Sequence, residues 1–153
     1  MRTTDSRQAQ DKPPQLDVVA QYVKYFSFEN PNAPWSLTPT QGQPTINIQV
    51  NVAAKPLADL DVEVEIKLNG VTEAAGVKLF SFDLAYAGVF RIQYIPEESI
   101  PTVVMIDCPQ LLFPFAREVV ATAVGNAGFP PLLINPVDFV GLCQRKIGGL
   151  WKN

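Results

Sequence analysis

The chain has 153 residues, 47% of them apolar and 18% charged, a net charge of -3, and no histidine. That length is one ordinary domain with a real core, and the missing imidazole removes Ser-His-Asp, Cys-His and histidine-metal chemistry. The charge is uneven: Arg2, Arg7, Lys12, Arg145, Lys146 and Lys152 lie near the ends, so residues 13–144 keep thirteen acids against six bases, a body that excludes nucleic acid as a partner.

Residues 1–15 are polar and end in Pro13-Pro14, a composition that cannot repay the entropy of ordering, so a disordered tail is expected there and a single domain over residues 16–153. The tail lacks the apolar run of a signal peptide. No stretch reaches the roughly 20 apolar residues of a membrane span, so cytoplasm is the expected compartment and membrane insertion is not expected. Cys108 and Cys143 permit at most one bridge and have no metal-ligand companions, which reads as two packed, reduced thiols.

From Leu16 to Phe28 the even positions are apolar apart from Lys24, which predicts a strand buried on one face and partly covered on the other. Residues 30–44 then carry four prolines and a glycine. They exclude a helix or a regular ladder and predict a long crossover, with Trp35 and Leu37 as apolar anchors in its middle. Two clean alternations follow, Ile46 to Val52 and Val62 to Leu68, each with one apolar and one wet face. Lys55-Pro56 and Asn69-Gly70 read as the turns between neighbours. A fourth strand over Val77–Ile95 places Phe80, Phe82, Leu84, Tyr86, Phe90, Ile92 and Tyr94 on one face, with Gly88 as a bulge or a close-approach site. The strands together are expected to form a four-stranded meander with an aromatic face.

The period then changes. Asp107 or Cys108 with Pro109 predicts a helix start. Leu111, Phe115 and Val119 form one stripe with Leu112, Ala116 and Val120 beside it, wider than a single sheet contact needs. Such a helix is covered on two sides. Pro114 either kinks this helix or marks a late start. After the apolar loop Phe129–Ile134, Asn135 as cap and Pro136 at the first position predict a last helix, with Phe139, Leu142, Cys143 and Ile147 on one face and a stop at Gly148-Gly149. The fold class is α+β, a four-stranded antiparallel sheet followed by two main helices.

No catalytic set assembles from these residues, and no glycine-rich phosphate loop is present, so neither an enzyme nor a cofactor is expected. The acids Asp59, Asp61, Glu63 and Glu65 alternate along a strand and read as its solvated face rather than as a hard-metal site. Arg117-Glu118 is either an interface ion pair or the exposed edge of its helix. What remains is apolar surface in excess of what one small domain covers, which points to self-association and to binding of apolar partners.

The segments Phe26-Ser27-Phe28-Glu29-Asn30-Pro31-Asn32-Ala33-Pro34, Gly88-Val89-Phe90, Cys108 through Glu118, and Gly128-Phe129-Pro130-Pro131-Leu132 to Pro136-Val137-Asp138-Phe139 resemble, in order and spacing, the signature stretches of the SecB family of protein-export chaperones. The resemblance covers residues 20 to 145. It implies a cytoplasmic homotetramer, a dimer of dimers with its long helices between two sheets. It also implies an ATP-independent holdase that keeps precursor proteins unfolded and passes them to the SecA motor. The family's client groove maps onto Trp35, Leu37, Ile46, Ile48, Phe129, Leu132, Leu133, Phe139 and Leu142. The acidic surface that receives SecA's basic, zinc-bearing tail maps onto Glu29 and Asp83, with Tyr25 where the family often has an acid and Ser81 where it often has an apolar residue. Two other readings are a SecB-like chaperone of a toxin-antitoxin system or other cytoplasmic clients, and a non-catalytic oligomeric carrier of apolar ligands.

Overall fold

The computed structural model describes residues 12–39 and 42–151, with the backbone alone over 146–151. Four strands form one antiparallel sheet: β1 (Gln15–Glu29), β2 (Thr45–Pro56), β3 (Asp61–Ala74) and β4 (Val77–Gln93). The spatial order is β1-β4-β3-β2, so only β2, β3 and β4 form a meander. The expected four-strand meander fails because the crossover after β1 carries the chain across the sheet to its far edge, leaving β1 to pair with β4. Contrary to the expectation of no helix, the crossover forms a short 3₁₀ turn at Trp35–Leu37, which fits in the interval after Pro34 where no proline removes an N–H.

The turns also move. Asn69 and Gly70 lie inside β3, where Gly70 faces Phe82 across the ladder and the Phe82 ring occupies the space a side chain would need. The hairpin closes instead at Ala75-Gly76, both at positive φ. Likewise Lys55 and Pro56 still pair with β3, and the bend lies beyond them with Asp59 at positive φ.

β1 departs furthest from its sequence pattern. Its register against β4 slips between Val18 and Ala20 and again between Val23 and Tyr25. Each extra residue reverses the side to which the following side chains point. Leu16, Val18, Phe26 and Phe28 therefore share the face of Phe90, Phe82 and Leu84, while Ala20 and Tyr22 are paired with Val89 and Ala87 on the other face. The even-position rule holds at both ends of the strand and fails between the two slips.

β4 is as aromatic as expected. Phe80, Phe82, Leu84, Tyr86, Phe90 and Ile92 are all buried, whereas Tyr94 lies beyond the strand at positive φ and is exposed. Gly88 is the close-approach site: a Cβ there would stand 2.8 Å from Leu112 Cδ2. The helix bearing Leu112 thus lies directly on this face.

That helix is longer than predicted. A continuous helical run starts at Glu97, passes through a 3₁₀ turn, one α-helical turn and a π segment over Val103–Asp107, and becomes α1 (Cys108–Asn126). The π turns come just before Pro109, whose missing N–H deprives the Met105 carbonyl of its usual donor. The helix continues through Pro114, so that proline does not mark its start. By length and composition the Glu97–Asn126 run matches a membrane span, contrary to expectation. Its apolar surplus instead meets the sheet: Cys108, Leu112, Ala116 and Val120 are fully buried and Val124 nearly so.

α2 (Phe139–Trp151) is capped by Asp138, whose Oδ1 accepts from the Gly141 N–H at 3.0 Å, rather than by Asn135. It runs past Gly148-Gly149, so the expected stop is not taken. The tail expected over 1–15 falls mostly outside the described residues. Within them, Lys12 stands 4.8 Å from the Tyr94 ring centre and Gln15 already belongs to β1.

Candidate functional site

The sheet has an inner face, carrying α1, and an outer face open to solvent. Eight of the expected client-groove residues are non-core, and among them Leu37, Ile46 and Phe129 meet at one end of the inner face. Three rings set that end: Phe80 stacks on Phe28 at 5.7 Å between centres and meets Phe129 at 5.0 Å. Phe129 thus fastens the loop after α1 to the sheet. The crossover is tied to the same loop, since Asn30 Nδ2 donates to the Ala127 carbonyl at 3.3 Å and Leu37 packs against Gly128. Asn32 Nδ2 donates to the Lys78 carbonyl at 2.8 Å, and Ser36, buried, donates to Asn30 Oδ1 at 2.7 Å. These short polar ties hold the 3₁₀ turn with its large side chains pointing outward.

Trp35 is 75% exposed, Leu133 79%, Leu37 45% and Ile46 38%. Ile48, Phe129, Leu132 and Leu142 are half-buried against the core. Ile46 joins this end through the row Ile46–Thr72–Phe80 across β2, β3 and β4. Phe139 does not present a surface. It is 2% exposed and packs edge-on against Phe113 at 6.0 Å, so it anchors α2 to the core. Thr72, between Ile46 and Phe80, is buried and its Oγ1 has no hydrogen-bond partner among the described residues. Nothing in the sequence pattern marked that orphan.

The other large exposed apolar residues lie elsewhere. Leu111 and Phe115 form the stripe of α1 turned away from the sheet, and Val18 and Val23 lie on the inner side of β1. A cavity of about 500 Å³ opens between the two elements, lined by Phe26, Tyr86, Phe115 and Val119 among others. The double stripe read from the sequence is therefore half satisfied by this chain alone. Arg117 caps the Phe113 ring at 5.7 Å rather than forming an ion pair with Glu118 among the described residues.

Glu29 and Asp83 stand on the outer face, both exposed, in neighbouring rows: Glu29 faces Ser81 and Asp83 faces Ser27. Asp83 has a partner that sequence reasoning missed. Only one orientation of the Asn69 amide suits its surroundings, the one in which Nδ2 donates to Asp83 Oδ1 at 3.0 Å and to the Leu68 carbonyl at 3.1 Å. Farther along this face the alternating acids are cross-strand partners rather than merely solvated. Glu63 accepts from Tyr22 and, at 2.9 Å, from Lys24, and Arg91 grips both oxygens of Asp61 at 2.9 and 3.3 Å. The Tyr22 and Lys24 hydrogen bonds hold the Glu63 carboxyl below the usual range, and Arg91 does the same for Asp61. Both cysteines are free and buried, and burial pushes the Cys108 thiol up to about 12. Among the described residues no cluster of acids and thiols could hold a metal ion.

Comparison with known proteins agrees with this architecture. The family described as "Preprotein translocase subunit SecB" matches residues 9–148. A Rhodopseudomonas palustris (strain HaA2) protein named protein-export protein SecB is 58% identical over 135 residues, 88% of this chain and 85% of the relative. One of the same name from Azorhizobium caulinodans is 53% identical over 147 residues, 96% of this chain and 92% of the relative. Among solved structures, a Mycobacterium tuberculosis SecB-like chaperone in complex with an antitoxin peptide shares the fold, with a TM-score of 0.66 at 17% identity, covering 89% of this chain and 98% of that one. With the family matched from ahead of β1 almost to the end of α2, and the sheet and helices arranged as described, the chain belongs to the SecB family.

Proposed function

We propose that the protein is an ATP-independent holdase of the cytoplasm, a non-enzymatic chaperone that keeps precursor proteins unfolded and delivers them to the SecA motor. The observation that carries this reading is the exposure of four large apolar side chains, Trp35, Leu37, Ile46 and Leu133, of which Leu37 packs against the loop that Phe129 fastens to the sheet and Ile46 shares a row with Phe80. Ile48, Phe129, Leu132 and Leu142 floor the groove, and Phe139 supports it from the core.

Covering one large apolar side chain is worth about 2 kcal/mol, and the client loses about 0.5–1.5 kcal/mol of freedom for each side chain it immobilises. One site therefore binds weakly, and usable affinity comes from a long guest that occupies several sites in succession. Several copies of the chain supply those sites. The open stripe of α1, with Val18 and Val23 of β1, is apolar surface of the kind that a second copy covers, consistent with a homotetramer built as a dimer of dimers. Glu29 and Asp83 then serve as the outer-face acids for SecA's basic tail.

Replacing Trp35 and Leu133 together by Glu tests the groove better than a substitution at Leu142, which also packs against the core. The double variant is expected to hold an unfolded precursor at least about tenfold more weakly, read as lost retardation of refolding, with its mass by light scattering unchanged. Full retardation in that variant defeats the assignment.

A further inference from the structure

The outer face carries a built hollow beside Asp83. Its floor is Ala85, whose neighbours across the ladder are Tyr25 on β1 and Lys67 on β3. A small residue between two long ones leaves a cavity of about 390 Å³, with Tyr25, Lys67, Asn69 and Asp83 among its lining. The register slip at Lys24 creates the aromatic wall: by adding one residue it sends both Tyr22 and Tyr25 to the outer side, opposite Ala87 and Ala85. Tyr22 is engaged with Glu63, but the Tyr25 ring is 59% exposed.

The charges around the hollow are not equivalent. Lys24, at one end, is compensated by Glu63 at 2.9 Å and Glu65 at 3.5 Å. At the other end Asp83 has no ion pair among the described residues, and the Asn69 amide fixes the direction of one of its oxygens. Lys67 also has no ion pair among the described residues and forms the far wall. A long cationic side chain laid over Ala85 meets a ring along its stem and an oriented carboxylate at its head. Lys67 repels it from the opposite wall.

We propose that Tyr25 and Asp83 form a seat for one arginine side chain of the basic segment that docks on this face, with Asn69 as the residue that positions Asp83. Arginine suits the seat because its flat guanidinium stacks on a phenol ring and donates in parallel to a carboxylate. This inference rests on the reading that Asp83 belongs to the SecA-docking surface, and it gives Tyr25 the work of the acid that it replaces.

The test titrates the zinc-loaded basic tail peptide of SecA onto the full-length protein by calorimetry. Asp83→Asn is expected to weaken binding about tenfold or more. Tyr25→Ala weakens it about threefold to fivefold, while Tyr25→Phe, which keeps the ring, stays within about twofold. Asn69→Val weakens it about threefold to fivefold, and Asn69→Gln, which keeps an amide donor on a flexible stem, restores most of the loss. Lys67→Met tightens it about twofold. If Asp83→Asn weakens binding but Tyr25→Ala and Asn69→Val bind as the parent does, the seat is overturned and the docking surface stands. If Asp83→Asn also binds as the parent does, or the parent does not bind the peptide, the docking reading fails and the seat with it.

Discussion

Thr72 places a hydroxyl where the packing has no use for it. Its oxygen is buried between Ile46 and Phe80 and finds no partner among the described residues, a cost of about 1–3 kcal/mol. Valine has the same shape without the stranded polar atom. Thr72→Val is therefore expected to raise the unfolding free energy by about 1 kcal/mol in a denaturant titration, with client capture retained. The outer-face carboxylates behave in the opposite sense, because their partners favour the charged form. Glu63 and Asp61 ionise at lower pH in the folded chain than in the unfolded one. Their stabilisation is complete above the ordinary carboxylate range, about pH 4 to 4.5, and is lost as pH falls through the lowered folded values. The denaturation midpoint is expected to stay level between pH 6 and 8, where a chain without histidine has few groups to titrate, and to drop below pH 4.5. Glu63→Gln should make that drop shallower.

The helix and the sheet meet without slack at Gly88. A methyl group there would lie 2.8 Å from Leu112 Cδ2, 3.1 Å from Phe90 Cε2 and 3.3 Å from the Ala20 carbonyl, so Gly88→Ala forces the buried Leu112 side chain to repack. An overpacking cost of about 2 kcal/mol is expected, measured as a lower denaturation midpoint. The sequence made this element pair legible: period-two apolar runs gave β2, β3 and β4, and the stripe around Leu112 gave α1 and its buried side. It did not reveal β1's two slips, because alternation counts residues and cannot see one that is left out of the ladder. The Asn69-Gly70 turn was misread for a related reason. A strong hairpin dipeptide was overridden by the Phe82 ring, which fills the space over Gly70. The site divided along the same line. Trp35 and Leu37 read as anchors of the crossover, yet Trp35 is left 75% exposed, and the groove residues came from the family resemblance alone, whereas the Asn69 contact with Asp83 depends on strand register, which no single-strand pattern contains.

For the molecule as a whole, the open stripe of Leu111 and Phe115 should decide the assembly. Leu111→Glu with Phe115→Glu is expected to lower the mass seen by light scattering while leaving the circular dichroism of the chain intact. An unchanged mass would mean that these residues are not the contact between copies. The end of the inner sheet face and the outer sheet face can then be altered independently, since the groove variants change neither Asp83 nor the α1 stripe. The same sheet also ends in two lateral strands, one with two register slips and the other carrying Asn47, Gln49 and Asn51 along its length and finishing in Lys55-Pro56. Straight, greasy borders invite a passing polypeptide to add itself as another ribbon and to recruit more of its kind. The twice-slipped register of one border and the lysine and proline that close the other interrupt such a template.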